Sequence, residues 1–342
     1  MQDIARASGV SQSTVSRVLT GAPTVVPINP ATRERVLEIA RQMRYRPNPL
    51  ARGLRGARTM LLGVIVREIT DPFLAGAVDA ISAEANRRGY NVVLGHVHGR
   101  ADEAIALRAV LETRHCDAII LLGDTSDQPR LLEDLRDTNI NVVGMWQGAE
   151  PVPGMSTVNL DNRAGMIGMV DHLLGLGHSR FAFIGGGFGG GPLLGDIGER
   201  RAAFIERLIA AGLPIADGCV CEIENKMSGG ATAFESLMRL PARPTAVVAS
   251  TDVLAVGALH AASRMGLTVP RDVSIVGFDD MLMAEYTNPA LTTVRQPIAE
   301  MAAVAVGAAI DAAGGEDAPM VHMLVPSLVV RASSGPPPTR PR

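Results

Sequence analysis

The sequence predicts an α/β protein in two parts, an N-terminal all-α head with a helix-turn-helix and a large body of two α/β lobes. Three observations carry the prediction. The first twenty residues, MQDIARASGVSQSTVSRVLT, have the spacing of two short helices around a tight turn. From Met60 onward, short aliphatic runs alternate with amphipathic helical stretches, the pattern of parallel sheets covered on both faces. Charge divides at the same place: residues 1–58 hold ten arginines against Asp3, Glu34 and Glu38, a net +7 that leaves −10 on the rest of a chain whose total is −3. A basic head on an acidic body directs the head toward a polyanion.

In the head, residues 1–46, Ile4, Val10, Val15 and Val18 supply the shared core of the two helices and Gly9 the turn. Ser11 is placed to cap the second helix, which turns Gln12, Ser13, Ser16 and Arg17 outward. Gln pairs bidentately with adenine, Ser bonds base edges or phosphates, and Arg forks onto guanine, so this face suits a DNA major groove. An ordinary helical hairpin would share the spacing. A third helix follows in INPATRERVLEIARQM, with Asn29 as cap and Pro30 at its first position. Residues 47–58, PNPLARGLRGAR, hold two prolines and two glycines that weaken a free-standing helix, so the segment reads as a linker of conditional order.

In the body, residues 59–332, the strand candidates are LLGVIV, NVVLGHV, DAIILLG, NVVGM, RFAFIGG, TAVVAS and VSIVGFD, with helical stretches such as FLAGAVDAISAEANRRG and DEAIALRAVLET between them. This is too much chain for one sheet, and two lobes with a cleft between them fit best. Parallel sheets place binding groups at the carboxyl ends of their strands. Asp71, Phe73, Trp146, Thr251, Asp252, Asp279 and Asp280 stand at such ends, and Arg200 opens the helix after the glycine-rich stretch. Taken singly, an Asp there is more often a helix cap or a turn former. Residues 333–342, SSGPPPTRPR, read as a disordered tail.

The runs VSQSTVSRVL, YRPNPLARGLR, RTMLLGVIVREITDPF, DNRAGM, HLLGLGHSRFAFIGG, STDVLAVGAL, VPRDVSIVGFDD and LTTVRQP occur in this order, and together they resemble the bacterial lactose-repressor/galactose-repressor (LacI/GalR) family over nearly the whole chain. The resemblance implies a periplasmic-binding-protein-like body, with lobe one at 60–158 and 291–318 and lobe two at 159–289 and 320–332. It implies that Ser11, Gln12, Ser13, Thr14, Ser16 and Arg17 read double-stranded operator DNA of pseudo-palindromic sequence. It implies a hinge in which Leu54 wedges into the minor groove with Arg52 and Arg55 beside phosphates, and Asn48 is expected in the same DNA-binding set. It further implies an allosteric, sugar-like effector between the lobes, with Arg200, Thr251 and Asp279 bonding hydroxyls and the aromatic at Phe73 stacking on the ring, and Asp71 and Trp146, by their strand-end positions, are expected at the same site. Thr251 stands where some sugar-binding members carry Asn. The tail has no leucine-rich helix of the tetrameric members, so a homodimer is expected.

Other classes fit less of the chain. Cys116, Cys219 and Cys221 form neither a disulfide framework nor a metal set, which suits a reducing cytoplasm. No stretch reaches the roughly 18 to 20 apolar residues that span a bilayer, and no leader opens the chain as a transporter's solute-binding protein would require. Gly185, Gly187 and Gly190 match a dinucleotide loop, but six glycines in residues 185–191 make the match trivial, and no acidic residue follows where a ribose would need it. A nucleotide-dependent oxidoreductase would also leave the basic head without a task. No nucleophile, base and orienting group come together, so no enzyme, cofactor or metal is expected, and the chain reads as a ligand-responsive transcriptional regulator that acts as a repressor.

Overall fold

The protein is described by a computed structural model over residues 1–20, 27–43, 45, 58–66, 69–96, 116–123, 140–148, 152–187, 195–315 and 318–339. It forms two compact units, Met1–Thr59 and Met60–Arg342.

In the first unit, α1 (Gln2–Ser8) ends at Gly9, whose φ of +67° is the left-handed conformation a glycine adopts without strain. The Ser11 Oγ accepts the Thr14 N–H at 3.1 Å and so caps α2 (Gln12–Thr20). Asn29 accepts the Ala31 N–H at 2.9 Å, with Pro30 at the first position of α3 (Pro30–Gln42). Ile4, Val15, Val18, Val36 and Ala40 close the core between the three helices. Ser8 is also buried, and its hydroxyl is satisfied by the Ile4 carbonyl at 2.5 Å.

The second unit holds two sheets. The first contains β1 (Leu61–Val66), β2 (Asn91–His96), β3 (Ala118–Leu122), β4 (Asn141–Met145), β5 (Ser156–Leu160) and β11 (Val321–Leu324), parallel throughout in the order β2-β1-β3-β4-β5-β11. Helices α4 (Pro72–Arg87) and α10 (Ile298–Ala313) pack on it. Every residue of β3 is buried, as a strand covered on both faces requires. The second sheet runs β7-β6-β8-β9, also parallel, from β6 (Phe181–Gly187), β7 (Val220–Glu224), β8 (Ala246–Ala249) and β9 (Ser274–Val276). Bridges from Val276 to Thr292 and from Asp279 to Arg295 set β10 (Thr293–Arg295) beside β9, and β10 pairs antiparallel with β12 (Ser327–Val329). Helices α5 (Asn162–Gly175), α6 (Gly195–Ala210), α7 (Met227–Leu237), α8 (Asp252–Arg264) and α9 (Leu282–Tyr286) complete this lobe. Where α7 and α8 meet, a Cβ on Gly230 would fall on the Leu254 carbonyl, and one on Gly257 on the Met227 carbonyl, so the two backbones touch.

The pairing corrects the expected lobe boundaries at three points. β5 stays in the first sheet through Leu160, β10 belongs with the second sheet rather than the first, and β11 joins the first sheet beside β5 rather than the second. The tail is corrected too. Ser333 is fully buried, its carbonyl accepts the Ile275 N–H at 3.0 Å, and the Gly335 carbonyl accepts from His178 Nε2 at 2.8 Å. Prolines 336–338 cannot donate to a ladder, but the Ser hydroxyls and the Gly335 backbone ahead of them can. The expected helix at DEAIALRAVLET lies outside the described residues.

Candidate functional site

On α2 of the head, Ser11, Gln12, Ser13 and Arg17 are exposed, while Thr14 and Ser16 are half-buried. The Ser11 hydroxyl lies 2.7 Å from that of Ser13 and 2.8 Å from that of Thr14, so three of these groups form a local cluster at the helix N-terminus. Gln12 and Arg17 are turned to solvent while Val15 and Val18 are buried. The hinge candidates Asn48, Arg52, Leu54 and Arg55 lie outside the described residues.

In the body, the candidates stand at the carboxyl ends of strands from both sheets, and the structure joins them into two chains of contacts. The first begins with Phe73, whose ring meets the Trp146 indole edge-on at 5.1 Å. Trp146 follows β4 directly, with φ +60° and its side chain buried. Its Nε1–H donates to Gln296 Oε1 at 2.9 Å, and the Gln296 amide donates in turn to Asp279 Oδ1 at 2.8 Å. Asp279, after β9, lies 3.4 Å from Arg200 Nη1. Arg200 is buried, stacks 3.7 Å above the Phe278 ring, and donates to the Ser250 carbonyl and to Asn162 Oδ1, each at 2.8 Å. The Asn162 amide reaches Asp196 at 2.7 Å and Glu199 at 3.0 Å.

The second chain runs through an amide. Asn225, just past β7, donates to Asp71 Oδ2 at 3.4 Å and accepts from the Thr251 hydroxyl at 2.7 Å. One carboxamide thus spans from the first lobe to the second. Asp71 and Thr251 are also helix caps, to the Phe73 N–H at 2.9 Å and the Leu254 N–H at 3.4 Å. The common role of a strand-end Asp or Thr therefore coexists here with a place in the cleft.

Burial pushes the Asp279 carboxyl up to about 7, with Arg200 pulling it down and the charge of Asp71 adding to the rise. Near neutrality both its acid form and its carboxylate are populated. Asp252 is also raised by burial, but it sits beneath the cleft, taking the Thr293 hydroxyl at 2.6 Å and the Met281 N–H at 2.8 Å and so holding the turn that carries Asp279. Gln296, Asn225 and Asn162 were not singled out from sequence, although Gln296 and Asn225 each follow a strand end directly. Gly185 and Gly187 lie within β6 rather than in a turn, which removes the first feature of a dinucleotide loop.

Residues 1–48 match the family of bacterial regulatory proteins, lacI family, and residues 170–334 match a periplasmic binding protein-like domain. The chain is similar to catabolite control protein A of Priestia megaterium, 32% identical over 89% of this chain and 89% of that one. It is also similar to the HTH-type transcriptional regulator GalS of Salmonella typhimurium, 33% identical over 97% of this chain and 96% of that one. Among solved structures, it is similar to the transcriptional regulator CelR in complex with cellobiose, with a TM-score of 0.72 at 29% identity, covering 96% of this chain and 98% of that one. The lac repressor dimer bound to operator and the anti-inducer ONPF matches with a TM-score of 0.84 at 25% identity, covering 97% and 98%.

Proposed function

The chain belongs to the lacI family of bacterial regulatory proteins, and from that premise we propose that this DNA-binding transcriptional regulator is a homodimeric repressor released or engaged by a sugar-like effector. The exposed face of α2, with Gln12, Ser13 and Arg17, reads base edges, and Ser11, Thr14 and Ser16 set the helix against the phosphates. Two copies read the two halves of a pseudo-palindromic operator. Leu54, Arg52, Arg55 and Asn48 add minor-groove and phosphate contacts.

The observation that carries the effector reading is the run from half-buried Phe73 through buried Trp146, Gln296 and Asp279 to Arg200, which links the two lobes. Such a run offers donors and acceptors to vicinal hydroxyls and aromatic edges to the apolar face of a sugar ring. The cellobiose bound to the similar CelR belongs to this chemical class. Thr251 is engaged by Asn225, so Asn225 presents its amide at this corner of the cleft together with Asp71.

Operator selection from a random duplex library, followed by titration with and without mono- and disaccharides, tests the proposal. A selected pseudo-palindrome whose affinity one sugar shifts is the expected result, with that sugar adding about 2.7 kcal/mol of stability at 100 times its dissociation constant. Selection of no preferred sequence, or a stabilising ligand outside the polyhydroxy class, overturns the respective half.

A further inference from the structure

The second lobe carries another recess at the opposite ends of its strands. Parallel strands put the cleft at their carboxyl ends, but Arg180, Thr245 and Asp272 stand just before β6, β8 and β9, and together with the end of α7 they line a cavity of about 360 Å³. This volume lies near the lower end of the roughly 300–1,000 Å³ typical of small-molecule sites. Part of the lining is apolar, with Met238, Leu240 and Leu267, and Pro338 of the docked tail closes one side.

The charged part of the lining is three arginines and one aspartate. Arg239 is engaged by Glu235 at 3.4 Å. Asp272 is occupied with the Thr268 N–H at 2.7 Å and with Arg271 at 3.7 Å. Arg180 and Arg243 line the same cavity, and among the described residues neither guanidinium has an ion-pair or hydrogen-bond partner. Arg180 is half-buried and Arg243 exposed, and the backbone under each is constrained. The Arg180 carbonyl accepts the Thr245 and Ala246 N–H groups at 2.9 and 3.2 Å, and Arg243 lies in a short loop bounded by Pro241 and Pro244.

We propose that this recess is a second ligand site, taking a small phosphomonoester with an apolar body. Guanidinium groups match phosphate oxygens in a forked geometry, and two unengaged ones suit a phosphomonoester of about −1.5 to −2 charge better than a single carboxylate. The apolar walls receive the organic part. The site is separate from the cleft and independent of the effector assigned there.

Calorimetric titration of the full chain with phenyl phosphate, benzoate, phenol and inorganic phosphate at fixed ionic strength tests this. Saturable binding of one phenyl phosphate per chain is expected, stronger than benzoate or inorganic phosphate, with none for phenol. The double variant R180Q/R243Q should bind phenyl phosphate at least about tenfold more weakly, and R243Q alone keeps the test available if the double variant does not fold. Asp279→Asn should bind it as the wild type does. Unchanged binding in both arginine variants, or loss in Asp279→Asn, overturns the assignment. Equal binding of inorganic phosphate and phenyl phosphate would mean an adventitious ion only, and equal benzoate binding would overturn the phosphate class.

Discussion

Asp279 is held by opposing demands, since burial favours its acid form while Arg200 and the Gln296 amide favour the carboxylate. Burial wins, and the folded carboxyl is pushed up to about 7 from an unfolded value near 3.9. A raised folded pKa means that the proton is bound more tightly in the folded state. The stability it contributes is fully present below about pH 4 and is lost as pH rises through 7. Asp279→Asn cannot titrate, so its melting temperature relative to wild type should climb between pH 5 and pH 8; a constant offset across that range would refute the assignment. Arg17 carries a prediction of another kind. It is exposed on α2, a helix anchored by buried Val15 and Val18, so Arg17→Ala should cost about 1 to 3 kcal/mol of operator binding and relax specificity at one base pair. Equal weakening on operator and random duplex, by fluorescence anisotropy, would make it a phosphate contact instead. The cleft was largely legible because Asp71, Phe73, Trp146, Thr251 and Asp279 all follow strands or strand-end turns, where parallel sheets expose side chains. Asn225 and Gln296 were not, because a carboxamide that bridges two distant elements leaves no periodic or spacing signal.

At the level of elements, the aliphatic runs that became β1, β3, β4, β6 and β8 were plain because strands buried on both faces must be apolar throughout. β7 was hidden by its place at the sheet edge, where VCEIE alternates between half-buried and exposed positions, and β5 by the polar look of STVNL. No local feature tells which sheet a strand joins. β11 reads like any short strand, and only its register against β5 assigns it to the first lobe. The tail escaped for a related reason, since the groups that receive it, His178, the Ser274 hydroxyl and the Ile275 carbonyl, lie far upstream in the chain. Contact between helices was equally silent in the sequence. Gly230 and Gly257 let α7 and α8 meet backbone to backbone, so Gly257→Ala should lower stability by about 1 to 3 kcal/mol through overpacking, against the usual gain for Gly→Ala in a helix. Gly168, in α5 with open space around it, supplies the contrast, and Gly168→Ala should be neutral or stabilising. Urea unfolding of both variants decides the point, and equal midpoints would show that α7 and α8 can part at little cost.

For the whole molecule, the proposed dimer requires a self-complementary surface, and α9 offers Leu282 and Tyr286 at 79% and 77% exposure, the two most exposed large apolar side chains among the described residues. If a second copy covers them, Leu282→Glu should shift the mass seen by light scattering toward one subunit and weaken operator binding, whereas an unchanged mass would remove α9 from the interface. Communication between cleft and operator can be tested separately from assembly. The lobes are joined by crossings after Leu160, after Arg295 and after Leu324, and the buried run from Trp146 through Gln296 to Asp279 passes close to the second of these. On the proposed function, an effector that replaced those mutual contacts with its own hydroxyls would change the angle between the lobes and, through it, the operator affinity. Coupling of this kind amounts to about 1 to 3 kcal/mol, several-fold to a hundredfold in operator affinity. Asp279→Ala should therefore keep effector-free operator affinity while losing the response. Leu54→Ala should weaken operator binding while leaving effector affinity of the DNA-free protein unchanged. Titrating both variants with operator, with and without the sugar found by selection, separates the two ends of the molecule. A full response from Asp279→Ala at the wild-type effector concentration would mean that its carboxyl only braces Arg200 and Gln296 and that the ligand lies elsewhere.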